Sequence, residues 1–249
     1  MFQKVFSFLK KLFSKPKVYH ENRDGGATIP PDPVKVIEYP KPSKPIDLKI
    51  VNHKFSWLKY VDDPDKGGFM IPKGIVIHYT CSYNLQNTAE FFGRNGVDIH
   101  LLVDKSGEAV QQVPFNRKAA HAGKSSWRGY TGLNDSFIGI EVINIGELTR
   151  KGEKFFDCYD REWTGKVVYK KMHGHEYWEP FTDAQIDFLI SSCAKLCMAY
   201  DIPISMICDH AEASPGRKID VGGSLAYKLS MDEFRAKVHA EITQLALTQ

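Results

Sequence analysis

Two apolar runs constrain this chain more than any other feature: Gly74-Ile75-Val76-Ile77-His78-Tyr79 and Phe137 to Asn144. Both are short, rich in β-branched residues and strongly apolar, so both read as buried strands. Leu85 to Arg94 has helical spacing, and Val97 to Val103 with Glu108 to Val113 reads as a hairpin turned by Lys105-Ser106-Gly107. Thr182 with Gln185 forms a capping box for a helix to about Tyr200, Met206 to Asp209 is a short strand, and Ser230 with Glu233 caps a last helix to about Leu247. Strands interleaved with helices predict an α/β fold, a mixed central β-sheet flanked by helices, in a single domain over residues 48–249. Residues 146–180, polar and rich in aromatics, interrupt this order and read as an insertion.

The chain ahead of that domain differs in kind. Residues 1–15 place Phe2, Val5, Phe6, Leu9, Leu12 and Phe13 at helical spacing, with Lys4, Lys11 and Lys15 elsewhere around the wheel and no acidic residue. That is a short basic amphipathic helix, and it admits two readings: a peptide lying on an anionic membrane surface, or a helix docked on the domain or frayed. Lys10 and Lys11 break the apolar stretch before signal-peptide length, and no small-residue cleavage site follows, so no signal peptide is expected. Residues 16–47 hold seven of the thirteen prolines, at 16, 30, 31, 33, 40, 42 and 45, which predicts an extended linker or strap.

Net charge is +3, from 33 basic and 30 acidic residues, too mild to argue for a nucleic-acid partner. Five cysteines, at 81, 158, 193, 197 and 208, form no CxxC pair and no even framework. The odd count argues against a disulfide scaffold and fits a reducing compartment. Cys193 and Cys197, four apart on the helix after Thr182, read as core.

His78 and His210 each end a strand, where chain leaves the core, and Asp220 follows His210 on a turn-rich loop. Two imidazoles and a carboxylate can supply three ligands to one zinc ion and leave a fourth position open. Glu141 interrupts the apolar run from Phe137 to Ile143, where an unpaired buried carboxylate costs several kcal/mol unless it has a partner or a task; a wet strand face is the other reading. His173 and His175, one glycine apart, read as surface residues of the insertion.

Ile77-His78-Tyr79-Thr80, Ala120-His121-Ala122-Gly123, Asn134-Asp135-Ser136-Phe137-Ile138-Gly139-Ile140-Glu141 and His210…Pro215-Gly216-Arg217-Lys218-Ile219-Asp220 occur in that order. Together they resemble the type-2 N-acetylmuramoyl-L-alanine amidases, relatives of the peptidoglycan-recognition proteins, over about residues 70–230. The resemblance implies a zinc amidase domain that hydrolyses the amide between N-acetylmuramic acid and L-alanine in peptidoglycan. It implies Zn2+ held by His78, His210 and Asp220, which would bring a bound water toward a pKa of about 7. Glu141 would be the general base and Lys218 the stabiliser of the developing oxyanion. His121, Asn134, Trp127 and Arg217 are candidate substrate contacts: His121 is also a candidate support for the metal site, Asn134 orients substrate or loop, and Arg217 is a structural partner or a contact to a substrate carboxylate; Trp127 and Tyr130 could form an aromatic wall or serve as packing groups. His100 falls where the family often has histidine and otherwise reads as a packed strand residue.

Three positions depart from the family's pattern: Asp209 stands where glycine is usual, Glu212 where aspartate is common and Val221 where proline follows the last ligand. Asp209 is expected to add negative charge near the metal. The partners implied are peptidoglycan or a muropeptide, and an anionic membrane surface through residues 1–15. Made in the cytoplasm, such a chain would act at the bacterial envelope, as a phage-type lytic or wall-remodelling enzyme. The alternatives are a muropeptide-recycling amidase of the cytosol and a non-catalytic peptidoglycan-binding module.

Overall fold

A computed structural model describes residues 49–61, 67–95 and 97–247; the expected amphipathic helix 1–15 and the proline-rich segment 16–47 lie outside the described residues. Along the chain come β1 (Lys59–Tyr60), β2 (Gly74–Tyr79), α1 (Leu85–Asn95), β3 (Leu101–Val103), β4 (Ala109–Gln111) and β5 (Phe137–Val142). There follow β6 (Glu147–Lys151), β7 (Lys154–Phe156), β8 (Glu162–Trp163), β9 (Val168–Met172) and β10 (His175–Trp178). The chain closes with α2 (Asp183–Tyr200), β11 (Ile207–Asp209), α3 (His210–Ala213), α4 (Gly222–Ala226) and α5 (Met231–Leu247).

The central sheet has six strands in the order β11-β2-β5-β3-β4-β1. β2 runs parallel to β11 and to β5, β5 runs parallel to β3, and β3 pairs antiparallel with β4 as the expected hairpin. The two apolar runs are thus adjacent central strands, in the register His78 opposite Glu141. Burial on both faces explains their composition. On one face α2 and α5 pack through Phe188, Leu189, Cys193, Leu196, Phe234 and Val238. On the other, Ala89 and Phe92 of α1 meet Leu102, Val110 and Ile143. Cys193 and Cys197 are core residues, as their spacing predicts.

The capping box at Thr182 is formed, with Gln185 and Thr182 exchanging side-chain and backbone bonds, and α2 ends at Tyr200. The insertion is a second sheet, five antiparallel strands in the order β8-β7-β6-β10-β9, with a small core of Ile145, Leu148, Phe155 and Tyr177.

One expectation is corrected here. Cys81 and Cys158, 77 residues apart, are disulfide-bonded, leaving Cys193, Cys197 and Cys208 free. The odd count concealed a pair because the bond joins the loop after β2 to the inserted sheet. That contact is made only when the insertion folds back onto the domain. Tyr159 strengthens the junction by donating its hydroxyl to the Cys81 carbonyl at 2.7 Å, and the Tyr83 hydroxyl donates to Asp157. No helix of the described residues is long and apolar enough to cross a membrane.

Candidate metal centre

β2, β5 and β11 are parallel, so their C-terminal ends open on one edge of the sheet, where side chains on emerging loops converge. His78 lies near the end of β2, Glu141 opposite it on β5, and His210 directly after β11 as the first residue of α3. Asp209 caps α3 by accepting from the Glu212 amide at 2.7 Å. The loop from 211 to 220 is closed by the Ala211 amide donating to the Asp220 carbonyl at 2.6 Å, which returns the Asp220 side chain to His210.

The three expected ligands meet. His78 Nδ1 lies 2.8 Å from His210 Nδ1 and 3.3 Å from Asp220 Oδ2, and His210 Nδ1 is 3.0 Å from the same oxygen. All three are buried, and their donor atoms lie close enough together to share one metal ion. A tetrahedral zinc with ligands at about 2.0–2.1 Å needs donor atoms roughly 3.3–3.4 Å apart, close to this spacing.

The outward nitrogens settle the tautomers. His210 Nε2 donates to the Ala122 carbonyl at 3.0 Å, leaving its Nδ1 a lone pair. His121 Nε2 donates to the Phe137 carbonyl at 3.0 Å, so His121 Nδ1 accepts from His78 Nε2 at 3.0 Å and His78 Nδ1 also carries a lone pair. Two lone pairs and a carboxylate oxygen therefore face one another in a buried space. They repel unless a cation lies between them, so the donor set fits zinc.

The electrostatics agree. Burial, with the neighbouring His210, lowers His78 to about 4, so its imidazole is neutral and able to ligate at neutral pH. Burial by itself would raise Asp220, but the adjoining His210 and His78 imidazoles and the Lys218 charge outweigh it and hold the carboxylate well below its usual range. Glu141 is 8% exposed, and its Oε2 finds no hydrogen-bond partner among the described residues. Burial, together with the charge of Asp220, pushes its carboxyl well up. A proton acceptor held near a metal centre in this way has the environment of a general base. Lys218 is 7% exposed, and burial lowers its ammonium despite the pull of Asp220 and Glu141. Asp209 is pushed up to about 7 by burial, with the Glu212 and Asp220 charges adding to the rise and backbone hydrogen bonds opposing it. Its negative charge near the metal is therefore partial at neutral pH.

The four candidate substrate contacts lie around this centre as follows. His121 is buried behind His78, its ring against Gly139, where a Cβ would stand 2.6 Å from the imidazole Cγ. That is the place of a support for a ligand, the second of its two readings, and leaves it no open face for substrate. Asn134 Oδ1 accepts from the amides of His121 and Ala122 at 3.0 and 2.6 Å, bracing that loop. Arg217 donates to the carbonyls of Ala122 and Lys124 and to Ser214 Oγ, tying the 210–220 loop to the 121–124 loop. Trp127, half-buried, donates its indole N–H to the Ser205 carbonyl, and the guanidinium groups of Arg128 and Arg235 lie 5.4 and 5.5 Å from its ring centroid. Tyr130, more exposed, sets its ring edge-on to Phe137. His100 is a packed strand residue: its Nε2 donates to the Arg117 carbonyl and its Nδ1 accepts from the Gly139 amide.

A family model described as N-acetylmuramoyl-L-alanine amidase matches residues 68–223, well over half of the chain. The chain belongs to that amidase family. The match begins just before β2 and ends just past Asp220, so it encloses the whole ligand set. The amidase AmiD of Escherichia coli is 32% identical over 157 residues, 60% of this chain and 49% of that protein. The 1,6-anhydro-N-acetylmuramyl-L-alanine amidase AmpD of Citrobacter freundii is 31% identical over 151 residues, 59% of this chain and 62% of that protein. The chain thus spans roughly half to three-fifths of the length of these relatives. Among solved structures, an AmpD crystal structure superposes with a TM-score of 0.53 at 23% identity, covering 76% of this chain and 98% of that one. A complex of E. coli AmiD with anhydro-N-acetylmuramic acid-L-Ala-D-gamma-Glu-L-Lys gives 0.51 at 27% identity, covering 68% and 58%.

Two residues of the site's surroundings escaped sequence reasoning. Glu147 accepts from the Tyr79 hydroxyl at 2.6 Å, and Trp178 is fully buried against the segment after Asp220. Both belong to the insertion, and no motif marks them.

Proposed function

We propose that this chain hydrolyses the amide between N-acetylmuramic acid and L-alanine of peptidoglycan, with zinc held by His78, His210 and Asp220. The observation that carries the reading is the convergence of three lone-pair-bearing groups beside the buried Glu141, whose Oε2 has no hydrogen-bond partner among the described residues. Bound there, zinc supplies Lewis-acid polarisation of the scissile carbonyl and lowers the pKa of water. Asp220 contributes negative charge, and His121 and the Ala122 carbonyl hold the two imidazoles in their ligating tautomers. Glu141 takes the water proton on its free carboxylate oxygen and returns it to the leaving amine of L-alanine. The Lys218 ammonium, with little competing solvent, stabilises charge developing on the carbonyl oxygen. No covalent enzyme intermediate is required.

The relatives' names support the substrate class, since both speak of the muramyl–alanine bond. The Cys81–Cys158 bond favours a setting outside a reducing cytoplasm, and with it action at the bacterial envelope over muropeptide recycling in the cytosol. Residues 1–15 then serve as a basic contact to an anionic membrane surface.

Digestion of purified peptidoglycan followed by mass spectrometry tests the activity. Free stem peptides beginning with alanine are expected; cleavage between sugars or within the stem overturns the assignment. Sedimentation with vesicles of anionic against neutral lipid, with and without residues 1–15, tests the membrane contact.

A further inference from the structure

The inserted sheet touches the amidase fold at two places that bracket the metal ligands. At the first, Glu147 opens β6 and accepts from the hydroxyl of Tyr79, the residue after the ligand His78. The Tyr79 ring also lies on Gly146, where a Cβ would come within 2.2 Å of ring carbon Cε2. At the second, Trp178 closes β10 with its indole against Gly222 and Gly223, the second and third residues after the ligand Asp220. Cβ atoms on those glycines would stand 2.6 and 2.1 Å from the indole, so the ring is seated on bare backbone. The indole N–H donates to the Lys170 carbonyl at 2.8 Å, which fixes the ring within its own sheet.

These grips are not independent. Glu147 and Trp178 are direct partners in the β6–β10 register, so one rung of the inserted sheet holds the end of β2 on one side and the turn after Asp220 on the other. We infer that Glu147 and Trp178 are positioning residues, and that this rung is a clamp setting the separation between His78 and Asp220. The inference rests on the zinc reading of the site and deepens it. In the metal-free protein the three ligand atoms repel, and their backbones spread unless something holds them. Any spreading must be reversed on binding, which weakens affinity. Glu147 acts through Tyr79 and Trp178 through the 222–223 backbone; neither is a ligand.

Zinc affinity of the full chain, measured by competition with a chromophoric chelator, tests the clamp, with thermal unfolding of the zinc-free proteins recorded alongside. Tyr79→Phe and Glu147→Ala are each expected to weaken zinc binding about tenfold, the range seen when outer contacts of ligands are removed. Their double variant should lose no more than either single one, because both break the same bond. Glu147→Gln keeps an acceptor oxygen and should stay within about twofold of wild type. Trp178→Phe should weaken binding additively with Glu147→Ala, since it releases the other jaw. A role in stability alone would lower the unfolding temperature of the zinc-free variants and leave affinity unmoved. Wild-type affinity in Tyr79→Phe and Glu147→Ala overturns the clamp while leaving the zinc centre standing. A wild-type chain that takes up no zinc overturns both.

Discussion

The parallel strands β2 and β5 and the antiparallel strands of the insertion are built on opposite terms. β2 and β5 are buried along almost their whole length and share one core with α2 and α5. The insertion carries exposed residues on most of its strands and encloses a small core of Ile145, Leu148, Phe155 and Tyr177. Isolated antiparallel ribbons with so little core are marginal. This one is tied to the fold by the Cys81–Cys158 bond, by Tyr159 and Tyr83, and by the rung at Glu147 and Trp178. The comparison teaches a division of labour. The buried sheet and the loops at its edge carry the proposed ligands and base, while the insertion depends on that sheet for its own order and grips it beside them.

The sharpest contrast lies in activity. Glu141→Gln removes the proton acceptor without changing shape, and is expected to lower turnover of purified peptidoglycan by about 10²–10⁴-fold. Zinc content should stay near one ion per chain, read by elemental analysis of the same sample. Residual turnover within tenfold of wild type would remove Glu141 from its role.

The dependence of the insertion on its ties is tested by Cys81→Ser with Cys158→Ser. Opening a link across 77 residues should cost about 2–4 kcal/mol in chemical unfolding. Hydrogen exchange should quicken in β6–β10 well before it quickens in β2 and β5. Equal quickening in both sheets would show that they form one cooperative unit.

Acid should attack the buried sheet first. His78 and His100 are both lowered to about 4 by burial. In the unfolded chain their pKa is about 6.5, so between pH 6.5 and 4 the unfolded state takes up protons that the folded state refuses. The stability they contribute is complete above about pH 6.5 and is lost as pH falls toward 4, up to about 3 kcal/mol for each. Denaturant unfolding of the zinc-free protein across that range measures the slope, and a flat profile there would contradict it.

The smallest effect belongs to the rim of the insertion. Lys154 meets Glu162 at 2.8 Å, but both side chains are largely exposed. Lys154→Ala should change stability by less than about 0.5 kcal/mol, since screened surface pairs contribute little. A larger loss would mean that the inserted sheet is held more by its charges than by its ties.

Much of this molecule could be read from residues in order. Unbroken apolar runs mark strands buried on both faces, and side-chain caps mark where α2 and α5 begin, because such signals act over a few residues. The proposed ligands His78, His210 and Asp220, with Glu141 and Lys218, sit in motifs dense enough to be recognised one by one. What the tertiary structure alone decided are the matters that depend on distant chain. His121 reads equally as a substrate contact until the fold sets its ring between His78 and the Phe137 carbonyl. Five cysteines look unpaired until the insertion turns back and brings position 158 to position 81. Glu147 and Trp178 carry no motif, and their shared rung follows from a register between strands whose partners periodicity cannot name. Local spacing records which face of an element is apolar; only the closing of long loops, a matter of chain entropy against packing, settles which faces meet.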